Sequence, residues 1–211
     1  MLKTSITNKA TPAVQFIAYG VLKGYAKNPF RLFIKILLKV PKLKKQLPKK
    51  LAADIKKQAA IIASMYIVLK EKVEKERALS TVQAIITPVA IAVQLGNLRY
   101  AETDRSFENL QKYHEMAISE SPTRSNIKEI IEASDQKYHF RVKSCLHMGL
   151  FRRLGVPELT RIMCNVDNAL YNIYSPDKVV FHRNGPGHTI FEGCKYCEFI
   201  CENKELKKER E

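Results

Sequence analysis

The sequence predicts an α+β protein in which N-terminal helices pack on a C-terminal antiparallel sheet crossed by one long helix. Apolar residues recur at helical spacing up to about residue 133, and two-residue alternation replaces this pattern from Lys137 onward. All the cysteines fall in the last third of the chain, beside histidines and acids. They are Cys145, Cys164, Cys194, Cys197 and Cys201. We therefore expect any chemistry to reside in this C-terminal part.

Length and composition indicate a globular protein with a sizeable core. The chain has 211 residues, of which 45% are hydrophobic. We divide it into a basic amphipathic helical segment (1–50), an α+β catalytic or ligand-binding domain (51–201) and a charged tail (202–211). The sequence indicates no oligomeric state.

The positive charge is concentrated at the N-terminal end. Residues 1–75 hold 17 basic and three acidic side chains, whereas the rest of the chain is nearly neutral. Residues 29–50 alternate lysines with apolar residues, as a basic amphipathic helix does, so peripheral contact with an anionic membrane is one interpretation. The other is a helix packed on the domain with solvated lysines. No aromatic-stacking motif or zinc-finger spacing favours nucleic acid.

The sequence gives no sign of export or membrane insertion. No segment reaches about 18 uninterrupted apolar residues, and no secretory signal is recognised in the first 20 residues. An odd number of cysteines then favours a reducing compartment and thiols outside disulfides. We expect a cytoplasmic protein.

Proline and asparagine mark the first helices. Residues 12–27 have the pattern of a first helix, and Asn28 followed by Pro29 predicts the start of a second. Pro41 and Pro48 are expected to break this second helix, which makes residues 42–50 a candidate linker.

Four further helices are predicted before the sheet. They cover residues 51–77, 80–93 with a kink at Pro88, 107–118 and 126–133. His114 lies on the apolar stripe of the third of these helices, where a buried core histidine is the favoured interpretation.

The predicted sheet begins with residues 137–145. Phe140 and Val142 face one side of this strand, and Cys145 is expected on the other, between Lys143 and His147. A helix over residues 157–173 follows. On its flank, about 120° from the core stripe, helical geometry aligns Cys164, Asp167 and Tyr171.

Two β segments close the chain. Residues 178–183 form the first, the turn 184–187 follows, and residues 188–191 are expected to resume the strand. On the last strand, 195–201, Cys197, Phe199 and Cys201 share one face.

Several familiar kinds of site do not fit. Cys194-x2-Cys197 resembles half of a structural zinc site, but no second pair has matching spacing. No glycine-rich phosphate loop follows a strand, and no nucleophile elbow is present. Cysteine nucleophile chemistry remains open, and the basic neighbours of Cys145 would suit it. A small buried thiol with no chemical role is the alternative at each cysteine.

One ordered series of residues resembles a known family. It runs Phe140-x-Val-x-x-Cys145, Phe151-Arg-Arg-Leu-Gly-Val-Pro-Glu-Leu159, Cys164-x-x-Asp167, Arg183 and Gly193-x3-Cys197-Glu-Phe199. This series is similar to the L-2-amino-thiazoline-4-carboxylic acid hydrolase family. Glu198 stands where the resemblance leads us to expect aspartate, and Cys194 and Cys201 are additional.

The resemblance implies hydrolytic opening of a cyclic thiazoline acid to a carbamoyl-cysteine product. On this hypothesis Cys145 is the nucleophile or a metal ligand, Cys164 and Cys197 complete the catalytic cluster, and Asp167 is the general base. Arg183 would bind the substrate carboxylate. His147 and Tyr171 are the other candidate substrate-binding residues.

Two alternatives remain open at this point. One is metal-assisted hydrolysis, in which Cys145, Cys164, Asp167 and Cys197 hold Zn²⁺ with an open position for water; the metal-free version needs no cofactor. The other is a non-catalytic domain that binds or senses a small molecule, because the closing Gly193-x3-Cys197-x-Phe199 is also similar to 4-vinyl reductase type domains.

Overall fold

A computed structural model describes residues 19–24, 27–101, 105–120, 125–184 and 188–208. Its helices are α1 (Pro29–Gln46), α2 (Ala53–Lys70), α3 (Lys75–Ala101), α4 (Phe107–Glu120), α5 (Leu146–Arg153), α6 (Thr160–Tyr174) and α7 (Lys204–Lys208). Its strands are β1 (Ile127–Ala133), β2 (Lys137–Ser144), β3 (Val179–His182) and β4 (Cys197–Asn203). The predicted α+β class is confirmed.

The described residues divide into two units, each made of two stretches of chain. Residues 91–146 and 164–208 form the sheet unit, and residues 19–90 and 147–163 form the helical unit. The expected boundary at residue 50 and the candidate linker stay predictions.

The sheet unit contains four antiparallel strands in the order β1-β2-β4-β3. β2 and β4 are central, and Phe140 lies opposite Phe199 in their register. The two rings stack at 4.6 Å between centroids. As predicted, Cys197, Phe199 and Cys201 lie on one face of β4.

That face of the sheet carries the core of the unit. α4 and the C-terminal part of α6 pack against it through Leu110, Tyr113, Leu170 and Tyr174, all of them buried. The burial of these large apolar side chains is the main force that holds the helices on the sheet. It also places the flank of α6 beside β3 and β4.

The helical unit is organised around α2, which is buried on most of its sides. α1 packs on it through Leu32, Ile36, Val40 and Leu43. The buried Ser64 hydroxyl of α2 donates a hydrogen bond to the Ile36 carbonyl oxygen at 2.6 Å. Tyr66 of α2 donates to Glu158 at 2.7 Å.

The start of α1 is confirmed, and the expected break at Pro41 is wrong, whereas the helix does end before Pro48, the second expected break. The Asn28 side chain accepts a hydrogen bond from the Arg31 amide at 3.0 Å, and Pro29 occupies the first turn. The helix nevertheless continues through Pro41 to Gln46. Val40 and Leu43, on either side of Pro41, are both buried, and this packing opposes the cost of about 3 kcal/mol for an internal proline.

The helix predicted over residues 126–133 is wrong, because this segment is β1. Among the described strands it forms one edge of the sheet and pairs with β2 alone. Its isoleucines suit a strand, and the backbone hydrogen bonds of β2 decide the conformation. The side chain of Asn126 accepts a hydrogen bond from the Leu146 amide at 2.7 Å, at the start of α5.

The predicted strand continuation at residues 188–191 is also wrong. Thr189 caps a 3-10 turn at Ile190–Glu192, and Gly193 ends this turn with φ of 94°. That left-handed conformation favours glycine. In the charged tail, Glu202 and Asn203 end β4, and the short helix α7 follows.

Some predicted features lie outside the described residues. These are residues 12–18 and 25–26 of the first predicted helix and residues 185–187 of the expected turn. The described part of that first helix, residues 19–23, is helical as predicted.

One described helix has the length and composition of a membrane span. This is the part of α3 from Lys75 to Leu95, with a mean hydropathy of 1.7 and 28% of the apolar window buried. Core helices of soluble proteins share these properties, so they are weak evidence for a span.

Candidate active site

Arg183 follows β3, and its guanidinium is buried and held in one orientation. Nε donates to the Asn168 side-chain oxygen at 2.7 Å, and Nη1 donates to the Glu198 carbonyl oxygen at 3.1 Å. The guanidinium carbon lies 4.0 Å from the centroid of the Phe199 ring. Nη2 is also buried, but no described residue accepts a hydrogen bond from it. A buried donor without an acceptor is costly, and an anion could supply one.

Asp167 lies next to this donor. Its Oδ2 is 3.8 Å from Arg183 Nη2, which is an ion pair but too long for a hydrogen bond. Desolvation raises the pKa of Asp167 to about 6, against the opposite effects of Arg183 and Lys128. Because 41% of the side chain is exposed, solvent screens part of this effect. A carboxylate of this kind can accept a proton near neutral pH.

Lys128 is a member of the cluster that the sequence did not reveal. It lies opposite Val142 in the pairing of β1 with β2, so its side chain emerges on the core face of the sheet. Burial lowers the pKa of Lys128, and the nearby Asp167 carboxylate partly opposes this effect. Asp167 therefore interacts with two cations, Arg183 and Lys128.

Three of the predicted thiols are electrostatic neighbours of one another, and two of them, Cys164 and Cys197, also interact with Asp167. Cys164, on α6, interacts with Asp167, Cys197 and Cys145. Burial is the main cause that raises the pKa of Cys164 to about 12 and that of Cys197 to about 11. The Ile190 amide donates to Cys197 Sγ at 3.2 Å. Cys164 and Cys197 are therefore protonated at neutral pH and can act as weak donors.

Cys145 is not on the strand where it was expected. β2 ends at Ser144, and Cys145 stands between this strand and α5. The predicted alternation with Lys143 and His147 therefore does not continue through it. Instead Cys145 interacts with Cys164 and Cys197, which belong to α6 and β4.

Tyr171 lies deeper in the sheet unit. Its ring stacks on Phe181 at 4.6 Å, and its hydroxyl is hydrogen-bonded to His114 Nε2. Burial, followed by the Lys128 charge, lowers the pKa of His114 to about 3. As predicted, His114 is a core histidine, although its Nδ1 has no hydrogen-bond partner among the described residues.

The remaining residues singled out in the sequence have other surroundings. His147 belongs to the helical unit, where its ring stacks on Phe151 at 6.2 Å and burial lowers its pKa to about 4. Cys201 is fully buried in the core of the sheet unit. None of the five cysteines, all of which lie in described parts of the chain, forms a disulfide.

Glu198 has two functions on β4, one for its backbone and one for its side chain. Its carbonyl oxygen holds Arg183, whereas its carboxylate points to the opposite face of the sheet. There it accepts hydrogen bonds from His139 at 2.5 Å and Arg141 at 3.0 Å. Burial alone would raise the pKa of Glu198, but these two donors outweigh it and lower the pKa.

Metal binding is the other role considered for the thiols and acids. Within the described ranges, no three side chains of histidine, cysteine, aspartate or glutamate converge on one point as metal ligands must. The zinc alternative stays a prediction, and no step is derived through a metal.

Two open depressions lie in the helical unit, and neither is lined by these residues. The larger, of about 730 Å³, is lined by Lys70, Lys72, Val73, Glu74 and Arg77. The smaller, of about 370 Å³, lies between α1 and α2. Neither brings together groups suited to catalysis, so size alone does not identify the site.

The fold and this cluster define an α+β protein in which a buried arginine, a carboxylate, a lysine and thiols are electrostatic neighbours. A comparison with protein families matches residues 54–201, more than two thirds of the chain, to the L-2-amino-thiazoline-4-carboxylic acid hydrolase family. The chain belongs to this family. No curated protein and no solved structure matches it.

Proposed function

We propose that the protein hydrolyses a small five-membered cyclic amidine that carries a carboxylate, of the 2-amino-thiazoline-4-carboxylate type. The observation that carries this proposal is the buried Arg183 Nη2, which lacks a hydrogen-bond acceptor among the described residues and lies 3.8 Å from Asp167. Family membership supports a hydrolase at the level of the family. The substrate and the bond that breaks are our proposal.

Arg183 would bind the substrate carboxylate. Its guanidinium is already oriented by Asn168 and Glu198, so little side-chain entropy is lost when the anion binds. Charge-assisted hydrogen bonds to a carboxylate are among the stronger polar contacts in proteins. Lys128 supplies a second positive charge beside Asp167, and the Tyr171 hydroxyl can donate or accept at the inner side.

Asp167 would act as general base. It removes a proton from water as the water oxygen adds to the ring carbon between sulfur and nitrogen, giving a tetrahedral centre. Collapse of this centre breaks either the carbon–sulfur or the carbon–nitrogen bond of the ring, and a proton is transferred to the leaving atom. Cleavage of the carbon–sulfur bond gives a free thiol with the carbamoyl group on nitrogen. Cleavage of the carbon–nitrogen bond gives a free amine with the carbamoyl group on sulfur.

The thiols divide into two roles. Cys164 and Cys197 are protonated and can donate hydrogen bonds to the leaving atom. Cys145 is the candidate for a covalent route. After losing its proton, its sulfur adds to the ring carbon, the ring carbon–sulfur or carbon–nitrogen bond then breaks as the leaving atom takes a proton, and water finally displaces the Cys145 sulfur from that carbon. The two routes differ in whether an enzyme adduct forms.

Turnover of 2-amino-thiazoline-4-carboxylate, followed by mass spectrometry of the product, tests the proposal. We expect Asp167→Asn and Arg183→Met each to lower kcat/KM at least 100-fold. The matched controls are Asp177→Asn and Arg161→Gln, which change exposed side chains of the same types. Full activity of both site variants, with folding unchanged by circular dichroism, would refute the assigned site.

A second experiment separates the two routes. Cys145→Ala should abolish turnover on the covalent route, and rapid quenching of wild-type protein should reveal an adduct by intact mass. If water attacks directly, Cys145→Ala keeps measurable turnover and no adduct forms. Cys194→Ala is the control, because it removes another partly buried thiol that the proposed mechanism does not use.

The non-catalytic alternative predicts a different result. A binding or sensing domain would be stabilised against heat by the thiazoline acid without forming product. Loss of that stabilisation in Arg183→Met, with no turnover by wild-type protein, would favour binding over catalysis.

A further inference from the structure

α1 presents a second apolar surface that the described part of the chain leaves exposed. Leu32, Ile36, Val40 and Leu43 pack inward. Other large apolar residues on the same helix remain exposed, with Phe30 at 63% and Leu38 at 74% of their full accessibility. They are Phe30, Ile34, Leu37 and Leu38, and we call them the exposed stripe.

Helical geometry places these residues together. At 100° per residue, the exposed stripe covers an arc of about 100°, and its centre lies about 150° from the centre of the buried set. The exposed stripe is therefore a continuous line of side chains that points away from α2.

Cations border the exposed stripe. α1 contains six basic residues and no acidic residue. Arg31, Lys35, Lys42 and Lys45 are exposed, and the first three follow one edge of the stripe. Lys39, further round the helix, is paired with Glu71 at 3.0 Å and is not counted among them.

The combination of cations with an exposed apolar surface indicates which kind of partner would bind α1. A second copy of the stripe would bring cations against cations, which disfavours self-association. A nucleic acid would satisfy the cations but leave Phe30 and Leu38 in water. An anionic bilayer surface satisfies both groups, because the apolar residues enter the interface while lysines and arginines remain at the headgroups.

We propose that the exposed stripe of α1 docks the protein on an anionic membrane surface, with the helix parallel to the bilayer plane. This inference concerns the helical unit alone and does not depend on the proposed hydrolase activity. It names the lipid-facing residues as Phe30, Ile34, Leu37 and Leu38, and the headgroup contacts as Arg31, Lys35 and Lys42.

Co-sedimentation of the full chain with vesicles tests the proposal. We expect binding to vesicles of phosphatidylcholine with 30% phosphatidylserine, weak binding to pure phosphatidylcholine, and at least a tenfold loss between low and high salt. Phe30→Ser with Leu38→Gln should lower the partition coefficient at least tenfold. Ile173→Ser is the control, because it changes an exposed apolar residue outside α1.

Two further variants distinguish a local site from net charge. Lys35→Glu with Lys42→Glu and Lys57→Glu with Lys72→Glu change the charge equally, and all four lysines are exposed. Only the first pair should reduce binding strongly. Equal losses in the two pairs, or equal binding to neutral vesicles, would overturn the proposal.

A fluorescent probe gives a direct reading of depth. The chain has no tryptophan, so Leu38→Trp introduces a single reporter on the exposed stripe. Its emission should shift to shorter wavelength on addition of phosphatidylserine vesicles. An unchanged spectrum under conditions where the protein sediments with vesicles would show that another surface makes the contact.

Discussion

Asp167 shows how neighbours on several elements set the behaviour of one side chain. Desolvation raises its pKa, whereas Arg183 after β3 and Lys128 on β1 each lower it. The result, about 6, lies closer to neutral pH than the ordinary value of 3.8. No local sequence pattern around residue 167 contains this information, because the contributing residues are remote along the chain.

The pH dependence of catalysis follows from this pKa. A general base must be deprotonated to act, so kcat/KM should rise with pH through about 6 and level off above 7. A substrate carboxylate bound to Arg183 adds a negative charge beside Asp167 and so raises the pKa of Asp167 in the complex. The rise of kcat should therefore occur at higher pH than the rise of kcat/KM. Initial rates between pH 5 and 8 provide the measurement. A profile that is flat across pH 6 would contradict the assignment of Asp167 as base.

Glu198 is expected to contribute strongly to stability. It is 1% exposed and its carboxylate accepts hydrogen bonds from His139 and Arg141. Glu198→Gln should lower the free energy of unfolding by about 2–3 kcal/mol, since bonds to a buried charge are lost. Denaturant unfolding at pH 7 measures this difference.

The control for Glu198 is a surface pair on the same sheet. Glu129 and Lys143 form an exposed ion pair at 2.9 Å, and Glu129→Gln should cost less than about 1 kcal/mol. Because the pKa of Glu198 is lowered in the folded state, its contribution is present above its unfolded pKa and is lost as the pH falls through the folded value. Similar losses in both variants would show that burial of the carboxylate has no special effect.

At the scale of elements, the structure was predicted well where the sequence has a strong periodic pattern. It was predicted poorly at the edge of the sheet. β2, β4 and α6 have regular patterns because each buries one face in a shared core, and their thiols, Asp167 and Tyr171 were recognised with them. β1 has only one neighbour, so its exposed isoleucines give no alternation, and the segment Ile127–Ala133 has helical spacing instead. Lys128 was missed together with this strand.

The other errors have physical causes of the same kind. Pro41 was expected to end α1, but the packing of Val40 and Leu43 on α2 continues the helix beyond it. Cys145 was assigned to the strand because alternation cannot show where pairing stops. These outcomes depend on tertiary contacts, which a local pattern does not contain.

Gly193 provides a test of one of these irregular segments. Its φ of 94° lies in the left-handed region, and a β carbon there would meet nothing within 4 Å. Gly193→Ala should therefore cost about 1 kcal/mol through backbone strain alone. Gly193→Asn should cost less, because asparagine tolerates this conformation better. Thermal unfolding measures the stability of both variants. An equal loss of stability in Gly193→Asn and Gly193→Ala would argue against backbone strain as the cause.

At the scale of the molecule, each unit holds a histidine that folding keeps neutral. The pKa is lowered to about 3 at His114 in the sheet unit and to about 4 at His147 in the helical unit, from an ordinary value of 6.5. Between these values and 6.5 the unfolded chain binds protons that the folded chain does not. Stability is therefore lost as the pH falls below 6.5.

This loss can be assigned to single residues. One proton per histidine corresponds to a slope of about 1.4 kcal/mol per pH unit in the free energy of unfolding. His114→Gln should reduce the slope between pH 6 and 4 by about that amount, and His147→Gln should do the same. Denaturant unfolding across this range is the measurement. An unchanged slope in His114→Gln would show that this ring is protonated in the folded protein.

The position of β1 at the rim of the sheet has a consequence for handling the protein. One side of this strand offers backbone amides and carbonyls without a neighbouring strand, and Ile127, Ile130 and Ile131 are exposed along it. Such a rim can recruit the same segment of another molecule into a growing ribbon. Glu129 lies between the isoleucines and Glu132 directly follows them, and charged side chains on an edge strand oppose its pairing with another molecule.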